Sequence, residues 1–245
     1  MGRGGDAVRG IDVVDYLRWT RDLSVSWAYL LPLLAAYEVG ILWSGSGFRN
    51  AAELAFKEAF GGFPSWCLWL QHLVLAVVIV VAIDLIRRDV PVLRLYPVFL
   101  LEAALFALLL GPLIGLLVDS FGLRPAAVPG SRVQQYLLSI GAGIYEEIVF
   151  RFLLMAGLYV VLVRAFQCSA LVALAASLLF SATLFSLYHH LGPGGEPWVW
   201  SAVSFRFLAG ILLGVILAVR GLALCVYLHA FYDLLCDLKG QALLS

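Results

Sequence analysis

The stretch Gly143-Ile-Tyr-Glu-Glu-Ile-Val-Phe-Arg-Phe152 places two adjacent carboxylates and an arginine inside a long apolar segment of the chain. An ionised side chain at the depth of a lipid bilayer costs several kcal/mol, so charged residues in such segments are usually paired and functional. A salt-bridged cluster that only locks helices together is the alternative interpretation. Whether these charges serve structure or chemistry depends on the partners that the rest of the chain supplies.

The amino-acid composition indicates a membrane-embedded protein. Hydrophobic residues make up 63% of the chain and charged residues only 13%, whereas about a quarter of the residues of a soluble domain are charged. We therefore predict an all-α fold, a polytopic transmembrane helix bundle surrounded by the lipid bilayer. The formal net charge of zero argues against a nucleic-acid partner.

Hydropathy predicts seven membrane spans, since each crossing needs roughly 20 apolar residues. The connection Phe48–Pro64 reads as an interfacial amphipathic helix, so a bundle of seven to eight helices is expected. The fourth span is too long for a straight crossing, and a tilt, a kink or an interfacial extension is expected there. The predicted spans are 24–44, 66–86, 96–118, 134–163, 169–189, 199–219 and 221–238.

A single integral membrane domain is predicted for residues 1–245, because no repeat or linker divides the chain. Residues 1–130 supply the N-terminal helices and the amphipathic segment, and residues 131–238 carry the charged stretch and two histidine motifs. Arginines before the first span favour a cytoplasmic N-terminus, and no cleavable signal peptide is evident. Many arginines and only two lysines are typical of a high-GC bacterium, which predicts the bacterial inner (plasma) membrane as the location.

Helical geometry divides the three charges into a pair and a single carboxylate. Residues four apart share one face of a helix, so Glu147 and Arg151 are neighbours that can neutralise each other. Glu146 points in another direction and has no cation near it in the sequence. A desolvated carboxylate that faces a cavity is suited to proton transfer.

Two later spans contain histidines at helical spacing from possible partners. Phe185 and His189 lie four residues apart in the fifth span, and His229 and Asp233 lie four apart in the seventh. Lone histidines in helices are usually packed or interfacial. Two at such spacing in apolar segments favour a functional role, with His190 as an alternative to His189.

Such a set of side chains can activate water for hydrolysis, since a base takes the proton and donors stabilise the oxyanion. The same set can bind Zn²⁺ and leave a position open for water, and the sequence leaves both mechanisms open. Either mechanism places the active site inside the bundle. The zinc ligands would be Glu146, His189, His229 and Asp233.

The motifs Glu-Glu-x-x-x-Arg, Phe-x-x-x-His and His-x-x-x-Asp occur in this order on predicted membrane helices. The combination resembles the CPBP family, which comprises CAAX prenyl proteases of the Rce1 type and the bacteriocin-processing or self-immunity proteins called Abi. The resemblance runs from about Glu146 to Asp233. It implies an intramembrane endopeptidase that is either glutamate-dependent or metal-dependent.

The resemblance also implies roles for the residues of the first two motifs. Glu146 would be the base that activates water, and His189 would bind or polarise that water. Glu147 and Arg151 would form a supporting ion pair, which agrees with their spacing on a helix.

The third motif departs from the family pattern. His229 and the residue at position 233 would face the oxyanion, and an asparagine there can donate a hydrogen bond. The chain has Asp233, which when ionised can only accept. Three interpretations stay open: Asp233 is protonated, it orients His229, or it serves a metal.

By the same resemblance the substrate is a membrane-anchored protein or peptide. Three kinds are considered: a lipidated C-terminus, a leader peptide, and the C-terminal sorting tail of an exported protein, which the expected outward opening favours slightly. The competing class is a non-catalytic membrane protein, either a proton-coupled transporter or a scaffold or immunity protein that uses the same polar cluster. Transporters typically show repeated halves, and the sequence has none.

Overall fold

The computed structural model describes residues 12–44, 49–54, 78, 80–119, 132–191, 195 and 197–242, and all regular structure within these ranges is helical. The predicted all-α bundle is therefore confirmed. Short helical stretches occupy residues 51–54 and 80–87. The longer segments are α1 (Val13–Arg21), α2 (Leu23–Ser44), α3 (Val92–Asp119), α4 (Arg132–Gly141), a π-helix (Ala142–Ala156), α5 (Gly157–Arg164), α6 (Ala170–Tyr188), α7 (Trp200–Arg220) and α8 (Leu222–Ala242).

Four helices within these ranges are long and apolar enough to cross a bilayer: α2, the Val92–Leu110 part of α3, α6 and α7. They correspond to the first, third, fifth and sixth predicted spans. These four helices make the chain an integral membrane protein. Most of the second span, 66–86, and of the amphipathic segment Phe48–Pro64 falls outside the described residues.

Helix α8 lies at the centre of the bundle and accounts for the seventh predicted span. Every residue from Leu222 to Ala230 is buried, and α8 packs against α2, α3, α4, the π-helix and α7. A helix that is apolar on all sides either spans a membrane or lies in a protein core, and the burial of this run shows that neighbouring helices enclose it. His229 therefore faces neighbouring helices and not lipid.

The fourth predicted span is one continuous helical run from residue 132 to residue 164. Its central part, Ala142–Ala156, is a π-helix with hydrogen bonds between residues five apart. The expected α-helical geometry is wrong for this part, since a π-helix has more residues in each turn. π-Helices are rare, and those that occur are often found at functional sites. This one carries Glu146, Glu147 and Arg151.

Two glycines let neighbouring helices approach this run closely. A Cβ atom at Gly143 would lie 2.6 Å from Ala230 Cβ and 2.7 Å from Ala230 N, so α8 can pack here only against a glycine. A Cβ atom at Gly141 would lie 2.7 Å from a ring carbon of Tyr37 on α2. The glycines therefore place α2 and α8 on the two sides of the Glu146-Glu147 pair.

A second, partly buried ion pair joins α1 and α3 to α7. Arg220 donates hydrogen bonds of 2.6–2.9 Å to both carboxylate oxygens of Glu102, and Tyr16 donates to the same carboxylate. The Arg220 guanidinium also reaches Thr20 Oγ1 at 3.2 Å. This cluster is satisfied within itself and has a structural role.

Candidate active site

Glu146 lies in the first half of the π-helix and is only 5% exposed. Its Oε1 accepts a hydrogen bond of 3.3 Å from Asn50 Nδ2. Its Oε2 lies 3.6 Å from His189 Nε2, which is too far for a direct hydrogen bond. The carboxylate and the imidazole therefore face each other without bonding directly.

The backbone of α6 fixes the orientation of His189. Its Nδ1 lies 2.8 Å from the carbonyl oxygen of Phe185, and because a carbonyl only accepts, Nδ1 must carry the proton. Nε2 is then the atom presented to Glu146. His190 instead lies against the ring of Trp198, with 5.2 Å between ring centroids, so the structure brings His189 to the carboxylate.

His229 lies between two carboxylates. Its Nδ1 is 2.7 Å from Glu147 Oε1, and its Nε2 is 3.4 Å from Asp233 Oδ2. The second oxygen of Glu147 lies 2.9 Å from Cys225 Sγ, a contact that the sequence analysis did not anticipate. The orientation of His229 is thus set by the second glutamate of the pair.

Arg151 is close to Glu147, as their spacing predicts, with Nη1 and Oε1 3.2 Å apart. The guanidinium is 1% exposed, and within the described ranges none of its nitrogens has a hydrogen-bond partner. Its Cζ lies 3.9 Å from the centroid of the Phe185 ring. Charge proximity and a cation–π contact therefore hold this buried cation.

Phe185 connects the separate parts of the site. Its ring centroid is 4.7 Å from that of His189 and 6.2 Å from that of His229. It also packs on Phe150 of the π-helix at 5.4 Å. One fully buried ring thus fixes the relative positions of Arg151 and both histidines.

Arg206 is a further site residue that the sequence analysis missed. It lines a small cavity between α3, α6, α7 and α8 together with His229, Tyr232 and Asp233. Its position in the apolar helix α7 was the available signal, since a charge inside a membrane helix is costly. Arg206 and Asp233 thus face the same cavity.

The four residues that would bind zinc contact other groups in this structure. Within the described ranges, no group of three or more His, Cys, Asp and Glu side chains could hold a metal ion. His189 uses Nδ1 for the Phe185 carbonyl, and both nitrogens of His229 face Glu147 and Asp233. The zinc interpretation therefore has no converging set of ligands in this part of the chain.

Comparison with known families gives one match. Residues 129–235 match the family model described as type II CAAX prenyl endopeptidase Rce1-like. Over this segment the chain is similar to the Rce1-like family. The match confirms the resemblance drawn from the three motifs, and it includes every predicted site residue from Glu146 to Asp233.

The Rce1-like segment begins just before α4 and ends within α8, so α1 to α3 and residues 49–54 lie outside it. No curated protein and no solved structure matches the chain. The family description names a CAAX prenyl endopeptidase. How this chain could perform such chemistry depends on the side chains that it brings together.

Proposed function

We propose that the protein is an intramembrane endopeptidase of the bacterial inner membrane in which Glu146 activates the hydrolytic water. The observation that carries the proposal is the facing pair of Glu146 Oε2 and His189 Nε2, 3.6 Å apart inside the helix bundle. A water molecule can lie within hydrogen-bond reach of both atoms at once. Similarity to the Rce1-like family over residues 129–235, with its endopeptidase description, supports this chemistry.

The proposed reaction begins with the transfer of a proton from water to Glu146. His189 accepts the second water hydrogen at Nε2 and thereby aims the oxygen lone pair at the scissile carbonyl carbon. A carbon–oxygen bond forms, and the carbonyl oxygen takes up negative charge. Glu146 then returns its proton to the leaving nitrogen as the carbon–nitrogen bond breaks, which yields a carboxylic acid, still carrying the second water hydrogen, and an amine.

His229 is the proposed donor to the oxyanion. Glu147 and Asp233 flank the ring and balance the charge of an imidazolium, whose Nε2–H can turn from Asp233 to the oxyanion. Asp233 then has the role of orienting His229, one of the three interpretations left open by the sequence. Arg206, which lines the same cavity, offsets the repulsion between Asp233 and the oxyanion.

The proposed substrate is a membrane-anchored protein or peptide. An apolar groove between α6 and α7, lined by Thr183, Leu187, Val203, Phe207 and Leu208, supports entry from the side of the bilayer. A lipidated C-terminus, a leader peptide and a C-terminal sorting tail all present a peptide bond next to a membrane anchor. The convergence of Glu146 and His189 supports hydrolysis over proton-coupled transport.

The test is a cleavage assay with purified protein in lipid vesicles and one fluorogenic peptide of each substrate kind. We expect cleavage of at least one peptide, abolished by His229→Ala and unaffected by a metal chelator. The variant Asp15→Asn is the matched control, because Asp15 forms only an exposed ion pair with Arg18 on α1. Failure to cleave any of the three kinds of peptide would contradict the proposal.

A further inference from the structure

Asn50 is the only asparagine in the chain, and its amide reaches the proposed base. Its Nδ2 lies 3.3 Å from Glu146 Oε1, and the residue is 8% exposed. Asn50 precedes the short helical stretch 51–54 and lies outside the segment that matches the Rce1-like family. No motif in the sequence pointed to it.

The amide can face Glu146 only with its nitrogen. Asn50 Oδ1 accepts a hydrogen bond of 2.8 Å from the backbone N–H of Ala52. The oxygen and nitrogen of an amide side chain are distinguished by their hydrogen bonds, and this one assigns the oxygen to the backbone. Nδ2 is therefore the donor directed at the carboxylate.

The backbone of Asn50 is held as firmly as its side chain. Its N–H donates to Tyr37 Oη at 3.2 Å, and that hydroxyl donates to Glu53 at 2.6 Å. Tyr37 and Glu53 are completely buried, and Arg49 forms ion pairs with Glu53 and with Glu38 of α2. Residues 49–54 are thus tied to α2 by a buried polar network.

A glycine brings this network to the π-helix. A Cβ atom at Gly141 would lie 3.1 Å from Asn50 Cβ as well as 2.7 Å from the Tyr37 ring. The close approach is therefore possible because residue 141 has no side chain. The structure places a rigidly held amide at the first glutamate of the pair.

We propose that Asn50 is a positioning residue that fixes which oxygen of Glu146 acts as the base. The Asn50 amide donates a hydrogen bond to Glu146 Oε1. Oε2 is therefore the oxygen that faces His189 Nε2 and takes the proton of water. The inference rests on the proposed function. It makes the N-terminal part of the chain, outside the family segment, a component of the hydrolytic site.

The test compares Asn50→Asp and Asn50→Leu with the wild-type protein on a peptide that the protein cleaves. Asn50→Asp keeps the volume and the acceptor for Ala52 N–H but replaces the N–H donor with a carboxylate that repels Glu146. Asn50→Leu removes donor and acceptor together and contains no carboxyl group that could donate when protonated.

We expect kcat to fall about 10- to 100-fold in both variants, because a misaligned base loses much of its contribution. We expect KM to change less than about twofold, since Asn50 does not bind substrate. The thermal midpoint of each variant is measured alongside, so that kcat is compared only between folded proteins. If the leucine variant does not fold, the aspartate variant decides.

A wild-type kcat in Asn50→Asp or in a folded Asn50→Leu would overturn the inference. Glu146→Gln, assayed in parallel, separates this failure from a failure of the proposed function. If Glu146→Gln cleaves normally, the proposed base is wrong. If Glu146→Gln is inactive while the Asn50 variants are fully active, only the positioning role is wrong.

Discussion

His229 Nδ1 lies 2.7 Å from Glu147 Oε1, so the imidazole of the central helix bonds to the second glutamate of the pair and not to the first. The two adjacent glutamates therefore have different partners. Glu147 contacts His229, Cys225 and Arg151, whereas Glu146 contacts Asn50 and faces His189. This division separates the residues expected to affect stability from those expected to affect only chemistry.

Removing the charge of Glu147 should destabilise the protein. In Glu147→Gln the buried guanidinium of Arg151 loses its only nearby carboxylate among the described residues. His229 loses a negatively charged hydrogen-bond acceptor. Breaking a buried ion pair in this way costs about 3–5 kcal/mol. Thermal unfolding in detergent should show a clearly lower midpoint for Glu147→Gln, with Glu146→Gln close to the wild-type protein. Equal midpoints for the two variants would contradict the division of roles.

The two neighbouring histidines should differ sharply in their effect on catalysis. His189 faces Glu146, whereas His190 packs against Trp198. We expect His189→Ala to lower kcat by about 100-fold or more, as is typical for a group that handles protons. His190→Ala should retain most of the activity. Steady-state kinetics on a cleaved peptide measures both, and a greater loss in His190→Ala would show that the wrong histidine has been assigned.

Packing at Gly143 offers a test of the central helix. In Gly143→Ala the new methyl group would lie 2.6 Å from Ala230 Cβ, so α8 must move away from the π-helix. Overpacking of this kind costs about 1–3 kcal/mol. Gly157→Ala is the matched control, because a Cβ atom there meets nothing within 4 Å and alanine favours helix.

Chemical or thermal unfolding should therefore rank Gly143→Ala below the wild-type protein and Gly157→Ala at or above it. Activity should fall with Gly143→Ala as well, because Ala230 follows His229 directly on α8. A Gly143→Ala variant as stable as Gly157→Ala would mean that the helices do not approach as closely as described.

Much of the fold follows from the sequence, because the main force that drives folding is the transfer of apolar side chains out of water. The run from Leu222 to Ala230 is apolar on all sides apart from His229, and such a helix is stable only away from water, in lipid or in a protein core. Four predicted spans reappear as membrane-length helices for the same reason. The π-helical turns at Ala142–Ala156 were not predictable, since hydropathy is insensitive to a change of one residue in hydrogen-bond spacing.

Which residues form the candidate site was easier to predict from the sequence than which of them contact each other. Spacing on one helix brings Glu147 close to Arg151, a local relationship that sequence can show. The bond between Glu147 and His229 and the contact between Asn50 and Glu146 join residues 82 and 96 positions apart. Such contacts depend on how helices pack, and no periodicity within one helix reports them. Arg206 was missed because the cavity that it lines is formed by residues of several helices.

The roles assigned to His189, His229 and Asp233 stay predictions, and they all depend on Glu146 as the base. The measurement that tests this claim most directly is the rate at which Glu146→Gln cleaves a membrane-anchored peptide in lipid vesicles, beside Asp15→Asn. The account predicts a loss of kcat of about 1,000-fold or more in Glu146→Gln, with unchanged thermal stability and full activity in Asp15→Asn. Cleavage by folded Glu146→Gln at the wild-type rate would contradict it.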